Sequence, residues 1–312
     1  MKNATKETIK SKNGFWKQVA SQWQLYVLLL PGFICLVIFH FLPMYGVNIA
    51  FKDLHIGQSM FEGNWVGFKQ FERLFSSDLF PLIMKNTLKI TLIQTFLLWP
   101  IPIIFALMVH NCNVKPIKNL TQTFSYLPHL LSMVVVISII ELFCSRETGI
   151  INIVLEKLGI DGIYFLGESK WFLPMYLVSD VWATMGSSAV IYIAALSSVD
   201  VQLVEAATMD GANKLQRIWH IDIPTIRPTI VLLFIMSMGK VLTLGYEKVL
   251  LMQNDLNLEA SEIIGTYVYK VGLQSAQYSF SAAVSLFNNV VGLILVIVAN
   301  RVAKKVSDIA LF

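Results

Sequence analysis

Six runs of about twenty mostly apolar residues, roughly 25–45, 88–109, 122–144, 173–196, 228–251 and 281–302, alternate with polar connections along the chain. A helix needs about 20 residues to cross the hydrocarbon core of a bilayer. In lipid such a run must also satisfy its own backbone groups, which leaves the α-helix as its form. The pattern therefore predicts an all-α membrane protein with six transmembrane helices. Between the runs the period changes. In "WVGFKQFERLF", Phe68, Phe71, Leu74 and Phe75 recur at helical spacing and predict a short amphipathic helix at the outer face. The brief segment "NCNVKPIKN" makes the second and third spans antiparallel neighbours. Residues 145–171, with Gly149, Gly159, Gly162 and Gly167, read as a loop containing a short helix near 150–158. Pro100 and Pro102 fall inside the second span, where they kink or break the hydrogen-bond ladder.

One polar interruption stands out, "EAATMDGANKLQRIWHIDIP" at 205–224. Asp200 is placed to cap a short helix of about 201–209, and Gly211 sits where a left-handed residue would stop it. Asn213 can cap a second helix of about 214–221, which Pro224 prevents from continuing. On that second helix Leu215, Ile218 and Trp219 share one face, with Lys214 and Arg217 beside it. Such a helix-turn-helix either docks into another protein, packs on its own bundle, or lies in the membrane interface.

Composition confirms the class. Of 312 residues 55% are hydrophobic and 14% charged, and the mean hydropathy is +0.64, which excludes an ordinary soluble domain. Charge adds the orientation. With the N-terminus inside, the inner segments carry thirteen of the 24 basic residues and six of the 20 acidic ones, a net of +7, leaving −3 elsewhere. Basic residues favour the cytoplasmic side, so a multi-pass protein of the cell membrane with both termini cytoplasmic is expected. Residues 1–24 form a basic tail, and residues 25–312 a single transmembrane domain. The tail and the long first span do not match a cleavable signal. The overall net charge of +4 reflects topology, and no nucleic-acid partner is expected. Cys35, Cys112 and Cys144, like His40, His55, His110, His129 and His220, show no metal-ligand spacing. No G-x-x-x-x-G-K-[ST] loop for ATP is present.

The polar segment carries a resemblance. Glu205-Ala206-Ala207, then Asp210-Gly211-Ala212, then Ile221 and Ile223-Pro224 match, at full spacing, the "EAA…DGA…I-LP" motif of ABC-importer permease subunits. The stretches 28–53, 125–136, 226–234 and 266–305 resemble the LplB-type branch of the maltose-type (carbohydrate uptake) permeases. Ile218 stands where many relatives have Phe, and Asp222 where a Thr or neutral residue is more usual. The resemblance implies that loop 200–224 is a coupling helix seated in a cytoplasmic ATPase. Glu205 would meet a basic residue there, Ala206, Ala207 and Gly211 would permit close approach, and Ile218, Trp219, Ile221 and Pro224 would complete the surface. It also implies a second permease, two ATPase copies and an extracellular solute-binding protein as partners. This chain would then bind no cofactor and catalyse nothing, with ATP and Mg used by the ATPase, and would carry oligosaccharide or polysaccharide-derived sugar.

Polar groups inside spans point to a pathway by default. The fourth span has Asp180, Thr184 and Ser187 on one face with Trp182 nearby. The fifth has Lys240, Thr243 and Glu247 on one stripe, with Tyr246 beside it in sequence. The sixth has Ser281, Ser285, Asn288 and Asn289. These three half-polar helices predict one shared wet surface on which Trp182, Tyr192 and Tyr246 stack on sugar rings; the same groups would equally pack against the sister permease. Lys240 pairs with Asp180 or Glu141, or if unpaired suits an anionic sugar. The rival class is an ion-gradient-driven secondary transporter using Lys240, Asp180 or Glu141.

Overall fold

A computed structural model describes residues 21–238 and 245–307. In chain order the helices are α1 (Trp23–Phe51), α2 (Lys69–Phe75), α3 (Leu79–His110), α4 (Lys115–Leu130), α5 (Met133–Cys144), α6 (Ile150–Lys157) and α7 (Ser169–Leu196). There follow α8 (Val201–Met209), α9 (Lys214–Met238), α10 (Tyr246–Met252), α11 (Leu258–Ser261), α12 (Ile264–Tyr269) and α13 (Tyr278–Ser307). Strands β1 (Lys52–Asp53) and β2 (Asn64–Trp65) pair antiparallel after α1, Lys52 opposite Trp65. Helices α1, α3, α7, α9 and α13 are long and apolar enough to cross a membrane; α4 and α5 make a sixth crossing if counted as one span bent by 104°.

That bend corrects the continuous third span expected at 122–144. Pro128 lies in a 3-10 turn, Leu127–Leu130, where the chain leaves α geometry. Ser132 is extended and caps α5, its hydroxyl accepting from the Val135 N–H at 3.4 Å. The fifth span, expected at 228–251, is also different. Helix α9 begins at Lys214 and is described as far as Met238, and the non-helical Gly245 precedes a short helix, α10. Lys240 and Thr243 lie outside the described residues.

Pro224 does not stop a helix, as it was expected to. A π turn, Ile218–Asp222, precedes it, with the Ile223 N–H donating to the Ile218 carbonyl. The wider turn takes up the proline ring and its missing donor, so the helix continues. Pro100 is accommodated in the same way by a π turn at Gln94–Leu98, closed by Trp99 N–H to the Gln94 carbonyl at 3.1 Å.

Helix α7 organises the interior. Its buried residues Phe172, Tyr176, Ser179, Ala183, Gly186, Ala189, Tyr192 and Leu196 recur every three or four positions, the period of one helix face. Phe172 and Tyr176 pack with Ile90, Ile137, Val249, Met252 and Ile263. Ala189, Tyr192 and Leu196 pack with Ile103, Ala106, Leu107 and Ile226. A third cluster joins Leu74 of α2 to Ile83, Ile264, Phe280 and Val284. Thus the predicted amphipathic α2 exists, but only Leu74 of its predicted stripe is buried; Phe68 and Phe75 stay exposed.

Gly186 is where α4 and α7 touch backbone to backbone, since a Cβ there would collide with the Ser125 carbonyl. Gly186→Val is therefore expected to destabilise the purified chain by at least about 1–3 kcal/mol, the cost of an overpacked core, and so to lower its melting temperature. An unchanged melting curve would mean that the two helices part freely.

Candidate functional site

The polar segment forms an elbow between α7 and the membrane part of α9, built largely as its local signals dictate. Asp200 caps α8 by accepting from the Gln202 N–H at 2.9 Å. Gly211 adopts φ +82°, and the chain closes with Ala212 N–H donating to the Ala207 carbonyl at 2.9 Å. Asn213 and Gln216 form a reciprocal capping box, with bonds of 2.9 and 2.8 Å. Across the corner, Arg217 Nη1 donates to Thr208 Oγ1 at 3.0 Å. The elbow borders an open hollow of about 410 Å³ lined by residues including Ala207, Asp210, Gly211, Arg217, His220 and Ile221.

Glu205, Ala206, Asp210, Gly211 and Pro224 are exposed, and Trp219 is 69% exposed. Ala207 is half-buried, and Ile218 and Ile221 pack against the core around Ala189 and Leu196. One side of the elbow is therefore rooted in the bundle while the other presents Glu205 and Trp219. Asp222, one of the two departures from the family pattern, is almost fully buried and accepts from Asn111 Nδ2 at 2.9 Å. This ties the elbow to the turn between α3 and α4. Asn111 was not singled out from sequence; it lies in the turn that brings the second and third spans together.

The expected shared polar surface is two clefts. The first, about 530 Å³, lies among α3, α7 and α9 and is lined by residues including Gln94, Thr95, Asp180, Thr184, Ser188 and Tyr192. The second, about 650 Å³, is lined by Tyr246, Tyr269 and Tyr278 with Ser281, Ser285, Asn288 and Asn289 among others. Tyr246 stacks on Tyr269 with ring centres 5.5 Å apart. The grouping of Asp180 with Thr184 and Tyr192, and of the four polar α13 residues with Tyr246, matches expectation. Ser187 does not line the first cleft; Ser188 does, and the Ser187 hydroxyl instead donates to the Thr184 carbonyl at 2.9 Å. Trp182 and Glu247 line neither cleft.

Asp180 has a partner that the sequence reading passed over. Lys248 Nζ lies 3.1 Å from Asp180 Oδ1, with side-chain exposures of 4% and 15%. Lys248 also donates to the Tyr176 carbonyl at 2.9 Å and lies 4.1 Å from the centre of its ring. Gln94 Nε2 donates to the other Asp180 oxygen at 2.8 Å. Charges this deep persist when paired and hydrogen-bonded, and here every strong contact is short. The visible signal was a second charge beside Glu247 in "YEKVLLM"; burial, not spacing, decides which of the two faces inward. A second pair, Lys270–Glu262 at 2.6 Å, is reinforced by Thr266 Oγ1 donating to Glu262 at 2.9 Å. Among the described residues no cluster of His, Cys, Asp and Glu could hold a metal ion.

Comparison with known proteins places this geometry. Residues 91–307 match the family described as the binding-protein-dependent transport system inner membrane component. The polygalacturonan/rhamnogalacturonan transport system permease protein YteP of Bacillus subtilis (strain 168) is 41% identical over 93% of this chain and 91% of its own length. Protein LplB of the same organism is 41% identical over 92% and 91%. The crystal structure of a bacterial alginate ABC transporter, in complex with an alginate pentasaccharide-bound periplasmic protein, contains a chain that is 35% identical. It superposes with a TM-score of 0.87 over 95% of this chain and 99% of that one.

Proposed function

We infer function from one premise: the chain belongs to the family of binding-protein-dependent transport system inner membrane components. It is a multi-pass membrane protein with an ABC permease fold, the permease subunit of a sugar-importing ABC transporter. Members of this family are transporter permease subunits and not enzymes.

The finer assignment is ours. We propose that the chain forms the sugar pathway with a second permease subunit, receives a polysaccharide-derived oligosaccharide from an extracellular solute-binding protein, and is driven by two copies of a cytoplasmic ATPase that use ATP and Mg. Both termini and the 1–24 tail are then cytoplasmic, and loop 200–224 is the ATPase contact. The observation that carries this reading is the elbow. It is capped at Asp200, Gly211 and Asn213, rooted in the core through Ile218 and Ile221, and bonded to the α3–α4 turn through Asp222, yet it leaves Glu205 exposed. A stiff, exposed element continuous with a membrane helix suits the transmission of movement. For the pathway, the support is two clefts lined by polar groups, the second with the stacked Tyr246 and Tyr269, a surface suited to hydroxyl-bearing rings. The gradient-driven alternative is not favoured, and Asp180, one of its carboxylates, is already neutralised by Lys248.

Purification of the tagged chain from its own membranes in mild detergent, with companions identified by mass spectrometry, tests the assembly. A second permease, a P-loop ATPase and a binding protein are expected. Recovery of the chain alone, active without ATP, would overturn it.

A further inference from the structure

Among the described residues, Gly245 alone lines both clefts, the one flanked by Asp180 and Thr184 and the one flanked by Tyr246 and Asn288. It is a glycine without the usual structural reasons for one. Its φ is −57°, outside the left-handed region, and a Cβ built on it meets no atom of the described residues within 4 Å. Gly211 and Gly186 differ, since the first needs its positive φ and the second its close contact. Gly245 precedes α10 and offers no side-chain cap, where Ser, Asp or Asn would hold the helix end better. What a side chain at 245 would change is the space between the clefts.

We propose that residue 245 is the neck of the sugar pathway, a specificity-determining position whose lack of a side chain sets the width available to an oligosaccharide passing between the two clefts. This rests on the reading of the clefts as the pathway. A neck of this kind is sensitive to side-chain volume and indifferent to polarity. A hinge glycine would behave differently, losing function with the first methyl group.

The test uses the complete transporter reconstituted with its partners. The probe is whichever fragment of galacturonan, rhamnogalacturonan or alginate the parental transporter takes up fastest. Uptake and binding-protein-stimulated ATP hydrolysis are measured for Gly245→Ala, Gly245→Val and Gly245→Leu, with Ser188→Leu and Ser285→Leu as controls in the two clefts. The expected result is near-parental uptake for Ala and a graded fall to roughly tenfold or lower for Leu, equivalent to a barrier raised by about 1.4 kcal/mol, with ATP hydrolysis retained. Parental uptake by Gly245→Leu while both serine variants are impaired would overturn the neck and keep the pathway. Parental uptake by all three leucine variants would overturn the pathway itself. A loss in Gly245→Ala as deep as in Gly245→Leu would make the glycine a hinge and overturn the proposal. Should the leucine variant fail to assemble, Gly245→Cys, in a chain with Cys35, Cys112 and Cys144 replaced by Ala, is treated after assembly with thiol reagents of increasing size. Uptake that falls with reagent size supports the neck, and uptake unaffected by the largest reagent that reacts overturns it.

Discussion

Glu205→Lys is expected to abolish sugar uptake while the chain reaches the membrane at the parental level. Glu205 is exposed on α8 and forms no ion pair among the described residues. Exposed substitutions away from special features change stability by only about ±0.5 kcal/mol, so folding has little to lose. The proposed contact with the ATPase has much more. If a basic residue faces Glu205 there, the lysine replaces attraction by repulsion at a desolvated contact, where losing one charge partner already costs about 2–5 kcal/mol. Uptake and membrane abundance are measured together, with co-purification of the ATPase as a third readout. Unimpaired uptake would show that the elbow is not the drive contact, and loss of the chain from the membrane would show that it is needed for folding.

Lys248→Met has the opposite signature, a loss of the folded protein before any loss specific to transport. The substitution leaves Asp180 in a largely buried position with Gln94 as its remaining hydrogen-bond donor of those named above, and leaves the Tyr176 carbonyl without its cation. Removing one member of a buried pair costs about 3–5 kcal/mol, because the other charge stays behind. A sharp fall in melting temperature and in the yield of monodisperse protein is expected. Lys248→Met combined with Asp180→Asn should recover much of that loss, since the stranded charge is gone. A single variant that melts like the parent but transports poorly would instead make Lys248 a cargo-facing cation.

The two sites were legible in the sequence to different depths, for a physical reason. The elbow was readable almost residue by residue, because caps act within three or four positions: Asp200 on Gln202, Asn213 on Gln216, and Gly211 through its own φ. The apolar runs likewise located the membrane helices, apart from their ends. What failed was whatever packing decides. Pro224 reads as a stop in isolation, but a one-residue widening at Ile218–Asp222 carries the helix past it. The break at Leu131 and Ser132 lies inside a run apolar enough on average to pass as one span, so hydropathy does not register it. Spacing placed Asp180 on a polar face, yet its partner arrives from α10, 68 residues away in sequence. The single polar surface expected from three helices became two clefts because α3, α7 and α9 line one while α12 and α13, with Tyr246, line the other.

One part of the fold does not pack on the chain itself. The stretch of α1 from Trp23 to Leu36 buries none of its residues against the rest of the chain, so its apolar surface is left for lipid or for another subunit. Only near its end, at Ala50, does α1 enter the packed interior.

The most direct measurement of the central claim is sugar uptake into proteoliposomes containing this chain with its partner permease, ATPase and binding protein. ATP is supplied at the ATPase side, and ion gradients are abolished with ionophores. Uptake that requires both ATP and the binding protein, and persists without any gradient, is the predicted result. Uptake driven by an imposed proton or sodium gradient in the absence of ATP would contradict it.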